Sequence, residues 1–138
     1  MSEISKYLGS QHLRPDGSAV QIHTKWAHLG EDAPSLLAEA ARSLNGSASR
    51  VKVVCDGWTR SISEDVERAL VDVGFGVSVY ELAPNSDGSP PSADDRRVAD
   101  FERELNESTV DLAVAVGSGT INDITKKITE RMNEQTDD

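Results

Sequence analysis

Cysteine is almost missing from this chain of 138 residues, in which Cys55 stands alone. An intramolecular disulfide and a cysteine-based metal centre are thereby excluded. Cys55 lies inside the apolar run Val51-Lys52-Val53-Val54-Cys55, where a small buried thiol is the plain reading. Positive charge is also short: 14 Lys and Arg stand against 24 Asp and Glu, for a net charge of -10. Nucleic acid and anionic membranes both need clustered cations, so neither is expected as a partner. No apolar run approaches the roughly 18 residues of a membrane span. The opening Met1-Ser2-Glu3-Ile4-Ser5-Lys6 lacks the basic and apolar regions of a signal peptide, and a cytoplasmic location is the expectation. Histidine occurs only as His12, His23 and His28, none with a helical partner or a carboxylate pattern suited to metal. No metal site is expected, and His28 reads as a strand-edge residue.

What is present is an alternation of two periodicities. Residues 1–19 are polar and interrupted by Gly9, Pro15 and Gly17, which suggests a flexible arm. Val20-Gln21-Ile22 and Ala27-His28-Leu29 suit short strand pieces around Trp26. A first helix is expected from about Pro34, with Leu36, Leu37, Ala40, Ala41 and Leu44 as its apolar stripe and Asn45-Gly46 as its end. Val51 to Cys55 predict a strand buried on both faces. Ser61-Ile62-Ser63-Glu64 offers a capping box for a second helix, with Ile62, Val66, Ala69, Leu70 and Val73 inward and Gly74 closing it.

The pattern then repeats. A strand is expected over Val77 to Leu82, and Pro84 to Pro91 can only be a loop, with mobility expected there and in the acidic tail. Ser92 with Asp95 is a candidate cap for a helix burying Val98, Phe101 and Leu105. Asp111 to Val116 is the most apolar strand, and a last helix carries Ile121, Ile124, Ile128 and Met132. Strands alternating with helices of this length imply parallel pairing in an α/β, Rossmann-like three-layer fold with a mainly parallel sheet. The expected organisation is an arm over 1–19, one α/β domain over 20–132 and a polar acidic tail over 133–138.

The turn Val116-Gly117-Ser118-Gly119-Thr120-Ile121-Asn122-Asp123 falls after the last strand, where ligands of open α/β sheets bind. Glycines admit close backbone approach, and the following helix offers free N–H groups and a positive dipole end. Together they suit a phosphate. Thr120 and Asp123 also have capping-box spacing, and Asn122 stands where a third glycine of G-x-G-x-x-G would be. On spacing alone, a phosphate seat and a plain strand-to-helix turn both remain open.

The stretch Val110 to Lys127, "VDLAVAVGSGTINDITKK", resembles the nucleotide-binding segment of sn-glycerol-1-phosphate dehydrogenases. These belong to the superfamily of glycerol dehydrogenases, iron-containing alcohol dehydrogenases and dehydroquinate synthases. "HLGEDAPSLLAEAARSL" and "VKVVCDGWTR" are similar, more faintly, to the family's first helix and first nucleotide-fold strand. The resemblance implies that the backbone of Gly117, Ser118, Gly119 and Thr120 holds the pyrophosphate of NAD or NADP. It further implies Asp56 at the adenosine side, Asp123 toward the nicotinamide and substrate end, and Lys126 near the cleft. For Asp56 the alternative is an ordinary strand-end turn residue, and for Asp123 and Lys126 a capped helix with a solvent-facing Lys. Trp58 reads as a partly covered surface aromatic, with adenine stacking the other possibility.

Nothing after Lys127 resembles the family's later cofactor turn or its helical domain with an Asp and two His for zinc or iron. The expectation is a truncated domain with a weak or partial NAD(P) site, no bound Zn or Fe, no catalytic residue of its own and no activity alone. A homo-oligomer or a complementing metal-binding subunit is expected, because a strand as apolar as Leu112 to Val116 calls for neighbours. The rival reading is a stand-alone, non-enzymatic nucleotide-binding or protein-interaction module. Glu81 to Asn85 offers no residue that decides between NAD and NADP.

Overall fold

A computed structural model describes residues 11–21, 28–44, 46 and 49–136, without the side chains of 11–12, 19–21 and 133–136. The chain divides into two units, Met1–Ala33 and Pro34–Asp138. In the first, Pro15-Asp16-Gly17 does not break an arm but turns a hairpin. Strand β1 (Gln11–Leu13) pairs antiparallel with β2 (Ala19–Gln21), His12 opposite Val20. Gly17 takes φ +87°, a conformation glycine adopts at little cost, and Asp16 Oδ1 accepts from the Ser18 N–H at 2.9 Å. Ile22, Trp26 and Ala27 lie outside the described residues, and His28 and Leu29 belong to no strand.

The second unit is a parallel sheet with helices on both faces. Its elements run α1 (Ala33–Leu44), β3 (Arg50–Asp56), α2 (Arg60–Asp72), β4 (Gly76–Leu82), α3 (Asp95–Glu107), β5 (Leu112–Ala115) and α4 (Gly119–Thr136). The strand order is β4-β3-β5, with Val53 level with Val79 on one side and Val114 on the other. Hence α2 carries the chain outward from the central strand, and α3 returns it past β3 to the opposite edge. Among the described residues no helix is long and apolar enough to cross a membrane.

Alternating side chains of the strands feed two cores. One gathers Ala38, Val51, Val53, Val66, Leu70 and Phe75 beneath α1 and α2. The other gathers Val54, Leu82, Val98, Phe101, Leu105, Ile121, Ile124 and Ile128 beneath α3 and α4. The faces of α3 and α4 agree with their periodicity. Two other faces do not. On α1 the buried residue is Ala38, while Leu36, Leu37 and Leu44 are exposed. On α2, Ser63, Val66 and Leu70 are buried and Ile62 is 56% exposed. Ser63 can be buried because its hydroxyl donates to Arg60 O at 2.7 Å and accepts from the Arg60 guanidinium at 2.7 Å.

Helix ends depart from the expected caps in the same manner. The capping box of α2 does not form, and α3 is capped by Asp94, whose Oδ1 accepts from Arg97 N at 2.9 Å, rather than by Ser92. Gly74 does close α2, at φ +99°. Its N–H donates to Val71 O (2.9 Å) while Phe75 N–H donates to Leu70 O (3.1 Å), the paired bonds of a Schellman motif. The Arg42 guanidinium lies 3.8 Å from the centre of the Phe75 ring, pinning α1 to that end.

Residues 84–91 form a loop as read, but a tied one. Asn85 donates to Pro90 O at 2.9 Å, and Arg97 donates to Ala83 O at 2.6 Å and to Asn85 Oδ1 at 3.1 Å. The expected acidic tail begins inside α4, which runs to Thr136.

Candidate functional site

The carboxyl ends of β3 and β5 are adjacent, and here the chain's path across the sheet reverses direction. Such a switch point leaves a crevice between the two loops. The loops are tied to each other: Val116 N–H donates to Val54 O at 2.8 Å, and Thr59 Oγ1 donates to Val116 O at 2.8 Å. Asp56 ends β3 as expected, and is buried. Its Oδ1 accepts from Trp58 N at 2.9 Å, Thr59 N at 3.0 Å and the Thr59 hydroxyl at 3.1 Å. The turn-residue alternative accounts for every one of these bonds. Asp56 caps the approach to α2 and shapes the β3 side of the crevice. Trp58, at the tip of that turn, is 56% exposed.

Across the crevice the β5–α4 turn is built differently. Gly117, Ser118 and Gly119 are exposed and Thr120 is half-buried. Ile121, Ile124, Thr125 and Ile128 turn into the core, which puts Asp123 and Lys126 on the solvent side of α4. Gly117 is required by packing, since a Cβ there would stand 2.7 Å from Ile121 Cγ1. Gly119 is not, since a Cβ there would meet nothing within 4 Å. Thr120 lies inside α4 and forms no capping box with Asp123. Asn122 N–H donates to Ser118 O at 3.1 Å, and among the described residues no acceptor meets the N–H groups of Gly119, Thr120 or Ile121. The Asp94 carboxylate caps the start of α3, whereas α2 and α4 open without a side-chain cap.

Cys55 and His28 lie apart from the β5–α4 turn in their bonding. Cys55 is fully buried, and burial pushes its thiol up, so it stays protonated and inert. His28 does have a carboxylate partner four residues on: Nε2 lies 2.8 Å from Asp32 Oδ1, and that bond holds Asp32 below the usual carboxylate range. The pair was missed because Ala27-His28-Leu29 was expected to be a strand piece, with His28 at its edge. It is exposed and has no third ligand, and no group of His, Cys, Asp and Glu among the described residues could hold a metal ion. The side chain of His12 and all of His23 lie outside the described residues.

An iron-containing alcohol dehydrogenase family model matches residues 4–136. The chain belongs to that family. No curated protein matches it. Membership agrees with the parallel α/β architecture and makes the chain a dehydrogenase-family domain. The iron in the family's name finds no fitting donor set among the described residues.

A dinucleotide fits better. Its pyrophosphate needs unpaired donors, a positive helix end and backbone free of side chains. All three meet at Gly119, where glycine serves no packing need.

Proposed function

We propose that this chain is the NAD(P)-binding part of a glycerol-1-phosphate dehydrogenase-like oxidoreductase, supplying the seat for the cofactor rather than the reacting centre. The observation that carries this reading is the uncapped start of α4 at the switch point, with exposed Gly117-Ser118-Gly119 before it. Backbone N–H groups of Gly119, Thr120 and Ile121 would hold the pyrophosphate, aided by the helix dipole. Asp56 would set the adenosine side through the turn it caps. Asp123 and Lys126, on the solvent side of α4, would face the nicotinamide end. When bound, the dinucleotide supplies the hydride chemistry. The chain is acidic, so cofactor binding is expected to be weak and to tighten with salt. We place the protein in the cytoplasm on the same reading.

Titration with NADH, NADPH and ADP-ribose, followed by Trp fluorescence, tests the proposal. Saturable binding of ADP-ribose that is lost on replacing Gly119 supports it, because that ligand carries the pyrophosphate without the nicotinamide. No saturable signal with any of the three, confirmed by calorimetry, would sink it and leave the non-enzymatic interaction module. That second reading is favoured by one feature, the outer position of β5 in the sheet among the described residues.

A further inference from the structure

The ladder between β3 and β5 stops short at the crevice, while the ladder between β3 and β4 does not. On the β4 side the pairing runs to Asp56 opposite Leu82. On the β5 side the last pair is Val54 opposite Ala115, closed by the bond from Val116 N–H to Val54 O at 2.8 Å. The bonds of a parallel ladder alternate in direction at even spacing, so the next rung would carry Asp56 N–H to Val116 O.

A side chain takes the place of that rung. Asp56 N–H donates to Thr59 Oγ1 at 3.2 Å, and Thr59 Oγ1 donates to Val116 O at 2.8 Å. The hydroxyl uses its one proton and a lone pair as an inserted water would. Two bonds in series thus stand where a single bond of about 2.9 Å would close the strands. Asp56 Oδ1 lies 3.1 Å from the same hydroxyl, but a single proton serves the nearer acceptor. The carboxylate fixes the hydroxyl through its backbone instead, accepting from Thr59 N–H at 3.0 Å, while Thr59 O accepts from Ser63 N–H at 2.9 Å. Thr59 is therefore held from both sides and is not free to withdraw.

We propose that Thr59 is a positioning residue of the cofactor site, whose hydroxyl wedges the β3 and β5 loops apart by a fixed amount. It sets the distance from the adenosine side to the pyrophosphate seat. The inference rests on the dinucleotide reading and adds to it the residue that spaces its two halves. Val116 directly precedes Gly117, and Asp56 holds the turn that carries Trp58, so the bridge joins the two turns at their roots. A ligand spanning both turns depends on that spacing, and a ligand seated on one does not. Valine has the shape of threonine without the hydroxyl, so Thr59→Val removes the bridge, whereas Thr59→Ser keeps it.

Titration of the full chain and both variants tests this, with binding read from the amide shifts of Gly117 and Gly119. ADP-ribose spans both turns, and inorganic pyrophosphate needs only the start of α4. Thr59→Val should lose at least about tenfold in ADP-ribose affinity, the effect of stranding a buried donor and acceptor. Its pyrophosphate affinity should stay within about twofold of wild type, which also reports that it is folded. Thr59→Ser should bind both ligands within about twofold of wild type. Equal ADP-ribose affinity in wild type and Thr59→Val overturns the role of Thr59. So does a Thr59→Val protein that loses both ligands together, since the residue would then act through folding alone. If Thr59→Val does not fold, Thr59→Ser decides, and a loss of about tenfold or more in ADP-ribose affinity there overturns the role. Each of these leaves the cofactor reading standing. A wild type that binds neither ligand overturns the cofactor reading, and the role of Thr59 with it.

Discussion

Two glycines three atoms of chain apart carry different burdens, and substitution separates them. At Gly117 a new Cβ would collide with Ile121, a fully buried member of the α3–α4 core. Gly117→Ala should cost about 1–3 kcal/mol in urea unfolding, because Ile121 must leave its place. Gly119→Ala meets open space and should change stability by no more than about 0.5 kcal/mol. Its predicted effect is on ligand: ADP-ribose affinity should fall at least about tenfold, since the methyl occupies the surface a pyrophosphate approaches. A Gly119→Ala protein that binds as the wild type would show that the turn serves folding alone. Lys52 offers a third residue-scale test. It is 3% exposed in the central strand, and its Nζ lies 3.0 Å from Glu104 Oε1, which is partly open to solvent. Removing the acid strands a buried cation, so Glu104→Ala should destabilise by at least about 1 kcal/mol, and Lys52→Met should cost less or even stabilise. The reverse ranking in denaturant midpoints would refute this account of the pair.

At the scale of elements, β5 is held to β3 by a carboxylate as well as by its ladder. Asp111 Oδ2 accepts from Ser49 N at 2.8 Å and Arg50 N at 3.0 Å, and those backbone bonds hold its carboxyl below the usual range. A folded-state value below the unfolded one stabilises at pH above the unfolded value and is lost as pH falls through the folded one. Stability should thus fall on acidification below about pH 4. Asp111→Asn should lower the melting temperature at pH 7 and flatten its acid dependence, whereas an unchanged acid profile would remove Asp111 from the explanation. The same element shows what could be read without coordinates. Alternating strands and helices, the α3 and α4 faces and the glycine stop of α2 follow from periodicity and local φ, which are properties of short segments. The caps of α2 and α3 were placed on the wrong residues because several Ser and Asp in each run satisfy the same spacing, and packing chooses among them. Ile62 and the leucines of α1 looked inward by spacing, but Ser63 and Ala38 are the residues buried there. That β5 is an edge depends on the order of strands, which no local pattern encodes. For the candidate site, the position of Asp56 was legible from its place at a strand end, while its engagement by Trp58 and Thr59 was not.

At the scale of the whole molecule, every residue of both cores comes from Ala38 or later. A chain beginning at Pro34 should therefore fold by itself, with a single cooperative urea transition and a far-UV spectrum keeping its α/β character. Its two cores share the central strand: Val53 serves one and Val54 the other. Opening either face exposes β3 to the other, and this is the physical reason to expect one transition rather than two. The acidity of the chain adds a second, independent axis. With 24 acidic residues against 14 basic ones, compaction concentrates like charge, and screening should relieve it. Raising salt from about 0.05 to about 1 M, where the screening length shrinks to about 3 Å, should raise the unfolding midpoint of both the full chain and the shortened one. Hydrogen exchange then distinguishes shared from separate cores. Amides of β3 should open only with global unfolding, and those of α1, whose Leu36, Leu37 and Leu44 face solvent, should open earlier. Biphasic unfolding with the α1–α2 and α3–α4 faces melting apart would mean that β3 does not couple them, and the fold would have to be treated as two half-sandwiches joined at a strand.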